Sequence, residues 1–231
     1  MSRRLLGFPA ALIVLLALVA GLRLAGSAPN RASQERAPTP SAEPMSKQEV
    51  AHARRLLAEV PVKGRAAKSG YSRANFGKGW KVVAGCDARN RTLARDLTDV
   101  SFKPGTHNCV VQSGTLKDPY TGTVIHFQRG NQTSALVQID HRYPLFLAHQ
   151  QGAQQWDSQE REDFASDPLN LVATAGHINQ AKGASGPGSW LPPNKSYRCT
   201  YVAEFTAVAH KYGLSMNPGD HRAAEQVLTR C

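Results

Sequence analysis

Apolar positions recur every three or four residues in five stretches of the chain, which predicts amphipathic helices there. Two helix starts carry a second signal, because Ser46 with Glu49 and Asp157 with Glu160 each match the pattern of a capping box. The predicted helices are one from Ser46 to about Glu59, one after Asp87 with Leu93 and Leu97 facing the core, one after Asp157, one after Ser196 with Tyr201, Phe205, Val208 and Tyr212 on one face, and one from about Asp220 to Leu228.

Shorter apolar runs predict strands. The runs 109–111 and 123–127 enclose the turn-forming residues 118–122, so this part of the chain predicts a β-hairpin. Two further runs, one at 136–139 and one around Asn170, are typical of buried strands. We expect the hairpin to lie near the 136–139 strand and to form a small antiparallel sheet behind it.

The N-terminus has the pattern of an export signal. Arg3 and Arg4 precede an apolar run from Ala10 to Leu22, which has secretory length and is too short to predict a membrane span. Residues 1–28 are therefore predicted to be a signal peptide, and retention as an uncleaved signal anchor is the alternative. Secretion is the expected localisation, and anchoring to the membrane through the uncleaved segment is the alternative.

Composition divides the rest of the chain. Residues 29–45 are rich in Pro, Ala, Ser and charge and predict a disordered linker. Residues 46–70 are interpreted as a helix followed by a basic linker, which precede one domain of ordinary size. The formal net charge is +11, and +8 without the first 28 residues, which attracts polyanions. Charge alone does not distinguish nucleic acid from anionic lipid or cell wall.

Four cysteines, Cys86, Cys109, Cys199 and Cys231, have no C-x-x-C spacing, which disfavours a zinc site. In an exported protein their even number favours two disulfides, for which three connectivities are possible. We predict Cys86 with Cys109 and Cys199 with Cys231, because each pair joins neighbouring segments and leaves the stretch between them unspanned. Buried free thiols are the alternative.

The stretch from 136 to 190 carries the candidate chemistry. Hydrolysis of a phosphodiester at neutral pH needs a base for water, a cation for the developing negative charge and donors that hold the phosphate. A candidate for each occurs there in order: Asp140-His141 at the end of one strand-like run, Asn170 in the next, and Asn179-x-x-Lys182 at the opening of a helix.

This series resembles the ββα-metal (HNH, or His-Me finger) nuclease site. It is most similar to small secreted HNH nucleases of actinobacterial type, and the resemblance runs from about Tyr71 to Cys231. The resemblance thus implies one HNH nuclease domain at residues 71–231 and an accessory helix and basic linker at residues 46–70. It includes the run Gly85–Asn90, which singles out Arg89 as a substrate-binding phosphate contact. The resemblance implies an α+β fold with a ββα-metal core at 136–190, a small antiparallel sheet and surrounding helices.

The resemblance also implies a role for each motif residue. His141 is the general base, and the backbone at Asn170 ties the two strands together and orients its ring. Asp140 and Asn179 are hard oxygen donors that suit Mg²⁺ or Mn²⁺, with water and substrate phosphate completing the site. Lys182, one turn after Asn179, is expected to contact a phosphate oxygen beside the metal.

Two features depart from the resembled family. Asn170 follows His141 by 29 residues, so the two strands are separated by an insert that is predicted to be helical. Ala184 and Ser185 stand where the family often has an acidic residue. His177 is a reserve candidate, for which an ordinary loop histidine is the preferred interpretation.

The sequence therefore predicts a secreted, divalent-metal-dependent endonuclease that cleaves DNA, with RNA as a second substrate. Little sequence specificity is expected, because no base-reading module is visible. The alternative is a cationic DNA- or cell-wall-binding protein on a degenerate nuclease scaffold. A sequence-specific nicking enzyme is disfavoured by the export signal and the lack of a recognition domain. No protein partner is indicated, and membrane contact is expected only through an uncleaved N-terminal segment.

Overall fold

The structure is a computed structural model that describes residues 44–231, an α+β arrangement of helices and small antiparallel sheets. The predicted signal segment and nearly all of the predicted linker lie outside the described residues. Within residues 44–231 no helix has the length and apolar character needed to span a membrane. The described helices are α1 Lys47–Glu59, α2 Ala88–Asp96, α3 Leu145–Gln150, α4 Ser158–Ser166, α5 Gly176–Lys182, α6 Arg198–Lys211 and α7 Pro218–Thr229. The described strands are β1 Val82–Val83, β2 Cys86–Asp87, β3 Leu97–Phe102, β4 Val111–Lys117, β5 Val124–Gln128, β6 Val137–His141 and β7 Leu171–Ala175.

The strands pair in three small antiparallel sheets. β1 pairs with β2, β6 pairs with β7, and β4 lies between β3 and β5. The predicted hairpin is confirmed as β4 and β5, which pair from Lys117 opposite Val124 to Ser113 opposite Gln128. The hairpin sheet does not pair with β6. It packs against the β6–β7 pair instead, through an apolar cluster that Leu116 and Phe127 share with Val137.

β7 is buried along its whole length because both of its faces are covered. Leu171 and Ala173 pack with the hairpin sheet, whereas Val172 packs with the larger helical core. This is why the strand lacks the alternation of polar and apolar residues that a half-exposed strand would have. The β6–β7 pair thus forms the centre of the described part of the chain, between two apolar clusters.

The second helix ends earlier than its apolar spacing predicts. α2 stops at Asp96, and Leu97, predicted to lie on the helix, begins β3. The helix end is bound to β7, because the carboxylate of Asp96 accepts the Ala173 N–H at 2.8 Å and Arg95 donates to the Leu171 carbonyl at 2.7 Å. These bonds satisfy backbone groups of β7 that no further strand covers.

The first helix is part of the main core. Ser46 and Glu49 form the predicted capping box at its start, and Ala53 and Leu57 are buried with residues of α6 and α7. The chain that follows α1 is held as well, since the Lys63 N–H donates to the Met216 carbonyl at 2.9 Å. Residues 46–70, interpreted from the sequence as an accessory arm, therefore pack as an integral part of the described fold.

Two disulfides are present, Cys86–Cys109 and Cys199–Cys231. They are the two pairs predicted from the sequence. The first joins β2 to the segment before β4, and the second joins the start of α6 to Cys231, two residues after the end of α7. Each therefore links neighbouring elements, and neither spans the β6–β7 pair.

Candidate active site

The turn after β6 is fixed by Asn170. Its carbonyl accepts the Arg142 N–H at 2.8 Å, and its side-chain oxygen accepts the Tyr143 N–H at 2.8 Å. Asn170 is fully buried, and its amide also donates to the Tyr143 and Phe164 carbonyls. The residue thus ties the end of β6 to the start of β7, and it has no exposed surface with which to meet a substrate.

His141 is the last residue of β6, and its ring is held by one hydrogen bond. Nε2 lies 2.9 Å from the carbonyl oxygen of Ala165, which is on α4. Because a carbonyl can only accept, Nε2 carries the proton and Nδ1 keeps its lone pair. Among residues 44–231 Nδ1 has no hydrogen-bond partner. The contact that orients the ring therefore comes from the insert helix, not from Asn170 itself.

Burial keeps this imidazole neutral. The residue is only 7% exposed, and desolvation lowers the pKa of His141 to about 3. The bond to Ala165 opposes the shift, and the positive charges of Arg73 and Lys182 add to it. At neutral pH the ring is an unprotonated base, with Nδ1 available to accept a proton.

Asp140 and Lys182 form a buried pair below the end of β6. The Lys182 ammonium donates to the Asp140 carboxylate at 3.0 Å and to the His141 carbonyl at 2.8 Å, and the Tyr120 hydroxyl donates to Asp140 at 2.7 Å. Burial lowers the pKa of Lys182, an effect that Asp140 opposes. The lysine side chain is 0% exposed. It was predicted to contact phosphate, but here it is enclosed and positions the aspartate, because the last turn of α5 packs under β6.

Asn179 reaches the same cleft from α5. Its side-chain nitrogen Nδ2 donates to the side-chain oxygen of Gln138 at 2.9 Å, and its side-chain oxygen Oδ1 has no hydrogen-bond partner among the described residues. Gln138 lies two residues before Asp140 on β6, and residues two apart share a strand face. The sequence contained that signal, although it did not single out Gln138.

The position of α5 depends on a glycine at its start. A Cβ added to Gly176 would lie 2.1 Å from the Ala135 carbonyl oxygen, well inside van der Waals contact. Only glycine therefore allows α5 to begin so close to the chain that enters β6. The close contact between Gly176 and Ala135 sets the distance between α5 and β6, and so the distance that the side chains of Asn179 and Lys182 must span.

The cleft has a volume of about 460 Å³ and brings together most of the predicted site residues. Lys182 and Asn170 do not line it. His177 is exposed and is not among its lining residues, in keeping with its preferred interpretation. The polar and aromatic side chains that line it are Tyr71, Arg73, Trp80, Arg89, Gln138, Asp140, His141, Phe146 and Asn179.

The two arginines that line the cleft differ in burial and in hydrogen bonding. Arg89 is half-buried and donates to the carbonyls of Ser134 and Val137 at 3.3 and 3.1 Å. Burial lowers the pKa of its guanidinium, and the nearby Arg129 adds to that shift. Arg73 is exposed and has no hydrogen bond or ion pair within residues 44–231. Arg89 is thus a fixed cation, and Arg73 is a free one.

Trp80 covers the catalytic histidine candidate. Its ring lies parallel to that of His141, with centroids 5.9 Å apart and planes 9° from parallel. Trp80 and Arg73 both belong to residues 71–80, hereafter the 71–80 segment. The sequence indicated this segment only as part of a family resemblance, and it assigned no role to either residue. The indole and the guanidinium are what the segment brings to the cleft.

The donor set fits a hard divalent cation with few protein ligands. Within the described part of the chain no three His, Cys, Asp or Glu side chains cluster as a metal site. The cleft does hold the Asp140 carboxylate, which has unused lone pairs, and the side-chain oxygen Oδ1 of Asn179, which has no partner among residues 44–231. Mg²⁺ is commonly held by one or two carboxylates with water and substrate phosphate. Asp140 and Asn179 are the residues that would bind it.

Comparison with known proteins places most of this site inside one matched region. The family model described as "GmrSD restriction endonucleases, C-terminal domain" matches residues 87–216. An uncharacterized secreted protein of the fungus Arthroderma benhamiae is 34% identical over 197 residues, which cover 84% of this chain and 92% of that protein. No solved structure matches the chain. The matched range contains β6, β7 and α5, whereas the 71–80 segment precedes it.

Proposed function

We propose that this chain, which belongs to the family of the GmrSD restriction endonuclease C-terminal domain, is a secreted, divalent-metal-dependent endonuclease. It hydrolyses phosphodiester bonds of DNA, with RNA as a second substrate, and it has little sequence specificity. Secretion agrees with the two disulfides and with the secreted fungal relative. That relative is fungal, whereas the sequence analysis indicated HNH nucleases of actinobacterial type.

One observation carries this proposal. A neutral imidazole with a free Nδ1 lies in the same cleft as two hard oxygen donors and two arginines. These are the groups that phosphodiester hydrolysis requires: a base, a place for a cation and donors for phosphate. A protein that only binds nucleic acid needs the arginines, but it has no use for a buried histidine with a fixed tautomer.

The residues divide the reaction between them. His141 accepts a proton from the attacking water at Nδ1, and the Ala165 carbonyl stabilises the imidazolium through the Nε2 hydrogen bond. Arg89, held by two carbonyls, and Arg73 bind the nonbridging phosphate oxygens and offset the charge that develops there. Asp140 and Asn179 would hold a divalent cation, and such a cation would supply further positive charge for the leaving oxygen.

Lys182 acts through Asp140. Together with the Tyr120 hydroxyl it fixes the carboxylate in one orientation and compensates its charge in a buried place. It is therefore a positioning residue, and a phosphate contact is left to the two arginines. This assignment replaces the expectation that Lys182 meets the substrate directly.

The proposal is tested with the purified protein on supercoiled plasmid and on RNA, in Mg²⁺, in Mn²⁺ and in EDTA. Nicking and linearisation of plasmid with metal, and none with EDTA, is the expected result. DNA binding is measured in parallel by anisotropy in EDTA. Tight binding of DNA without cleavage under either metal would favour the cationic binding protein instead. Cleavage of RNA alone would overturn DNA as the main substrate.

A further inference from the structure

A second cavity of about 210 Å³ lies beside the cleft. Four residues line both spaces, namely Arg73, Trp80, His141 and Leu145. The two cavities therefore adjoin at the imidazole and at the 71–80 segment. A substrate whose phosphate is held in the cleft has a neighbouring group within reach of this second space.

The walls of the second cavity are aromatic and apolar. Trp80 and the buried Phe76 provide aromatic faces, and Leu145 and Ala165 provide an apolar floor. Arg73 is the charged side chain in the lining of this cavity. Its guanidinium has no hydrogen-bond partner among the described residues, so its N–H groups are free to donate. Apolar walls disfavour a phosphate, which would lose its hydration there. A planar heterocycle with polar edges suits them, since it can stack on an indole and bond to a guanidinium.

Two glycines keep this cavity open. Gly77 and Gly79 have φ values of +106° and +133°, a region that side-chain-bearing residues rarely adopt. A Cβ added at Gly79 would meet no atom within 4 Å, so this glycine faces free space. A Cβ added at Gly77 would lie 3.3 Å from the Glu162 side chain on α4, so a larger residue would crowd this wall of the cavity.

We propose that the second cavity binds one nucleobase next to the scissile phosphate. The base stacks on Trp80, and its edge is bonded by those of the five N–H donors of Arg73 that the phosphate leaves free, since Arg73 lines both cavities. The inference rests on the proposed nuclease function and names the part of the substrate that the 71–80 segment recognises. A base can enter only after it leaves its own stack, and unstacking costs least in a single strand or at a flexible step. The protein should therefore prefer single-stranded or unpaired regions.

The first test is binding in EDTA, so that no cleavage occurs. A fluorescent thymidine trinucleotide is compared with the same molecule carrying an abasic sugar at one position. We expect the wild type to bind the intact trinucleotide about tenfold more tightly, in the range expected for one base–aromatic stack. Trp80→Leu should lose most of this preference, and Trp80→Phe should keep most of it. Val82→Ser is the matched control, because Val82 is exposed, two residues from Trp80, and lines neither cavity.

The second test uses cleavage of an end-labelled single strand with one abasic nucleotide. Wild type should cut one of the two flanking linkages about tenfold more slowly than in the intact strand, and Trp80→Leu should cut both strands alike. Equal wild-type binding of intact and abasic trinucleotides, or discrimination that persists in Trp80→Leu, would overturn the base pocket. Preferential binding without any cleavage would keep the pocket and reject the nuclease.

Discussion

The two sides of the cleft are built in opposite ways. On one side, which is formed by β6, β7 and α5, defined hydrogen bonds hold the polar side chains: Asn170 fixes the turn, Lys182 and Tyr120 fix Asp140, and Ala165 fixes His141. On the other side, the 71–80 segment offers an exposed Arg73 without a partner in the described chain and two glycines at positive φ. The first side lies within the family match and the second lies before it.

The difference suggests a division of labour. Groups that move protons or hold a cation must be placed within fractions of an ångström, and buried hydrogen-bond networks provide that order. Groups that hold a long, variable polymer must adapt to it, and a free guanidinium on a glycine-containing segment can do so. Substitutions on the first side should therefore affect chemistry and stability, and those on the second should affect substrate affinity.

The largest effect is expected from the fixed side. His141→Ala should lower the cleavage rate by about two to four orders of magnitude, the usual contribution of a positioned base, while DNA binding is retained. Rates are measured on plasmid at matched DNA occupancy with Mg²⁺ present. His177→Ala is the matched control, since His177 is exposed and outside the cleft, and it should cleave like wild type. Equal rates for His141→Ala and wild type would exclude His141 as the base.

The buried pair should dominate stability on that side. Lys182→Met leaves the Asp140 carboxylate buried without a counter-charge and should lower the free energy of unfolding by about 3–5 kcal/mol. Urea unfolding followed by fluorescence measures the change. Adding Asp140→Asn to Lys182→Met should recover most of the loss, because no buried charge then remains and Tyr120 keeps an acceptor. Lys211→Met, which breaks the ion pair of a half-exposed lysine with Asp167, should cost far less.

The free arginine should behave differently. Arg73→Ala should weaken DNA binding about tenfold at low salt and reduce the slope of log K against log salt by about one, without a change in stability. Arg89→Ala should weaken binding and lower stability, since Arg89 also holds two carbonyls. Binding titrations at several salt concentrations provide the slope. Arg54→Ala, on the exposed face of α1, is the control, and an identical loss there would contradict a specific role for Arg73.

The smallest effect is expected in the pH dependence of cleavage near neutral pH. Because burial lowers the pKa of His141 to about 3, kcat/KM should show no acidic limb from this residue near 6.5.

The same lowered pKa affects the stability of the fold in acid. The unfolded chain takes up a proton near 6.5 and the folded one does not, so His141 removes about 1.4 kcal/mol of stability per pH unit between about 6.5 and 3. His141→Ala should lack this decline in urea unfolding at pH 6 and 4, and an identical decline would contradict the low pKa.

Local signals explain what the sequence could predict. The capping boxes at Ser46 and Asp157 are complete within four residues, and both helices begin where those boxes indicate. The turn between β4 and β5 is likewise defined by adjacent residues. The two disulfides are one of the three ways in which four cysteines can pair. None of these inferences needs knowledge of which elements pack together.

The remaining features depend on distant contacts. Lys182 is enclosed because α5 packs under β6 and Tyr120 arrives from the β4–β5 turn, and no spacing within residues 176–182 reports that. α1 joins the core through α6 and α7, far along the chain. Arg73 and Trp80 reach His141 from more than sixty residues away. Such residues can be identified only when the fold has brought them together.

The carbonyl of Ala165 has a consequence for any attempt to simplify this protein. It belongs to α4, inside the insert that separates β6 from Asn170. Engineers who reduce the chain to a minimal strand–strand–helix unit would discard that helix as a spacer and leave the ring of His141 free to rotate. Grafting the unit into another scaffold would raise the same difficulty. The transferable module therefore includes α4 and runs without interruption from β6 to the end of α5.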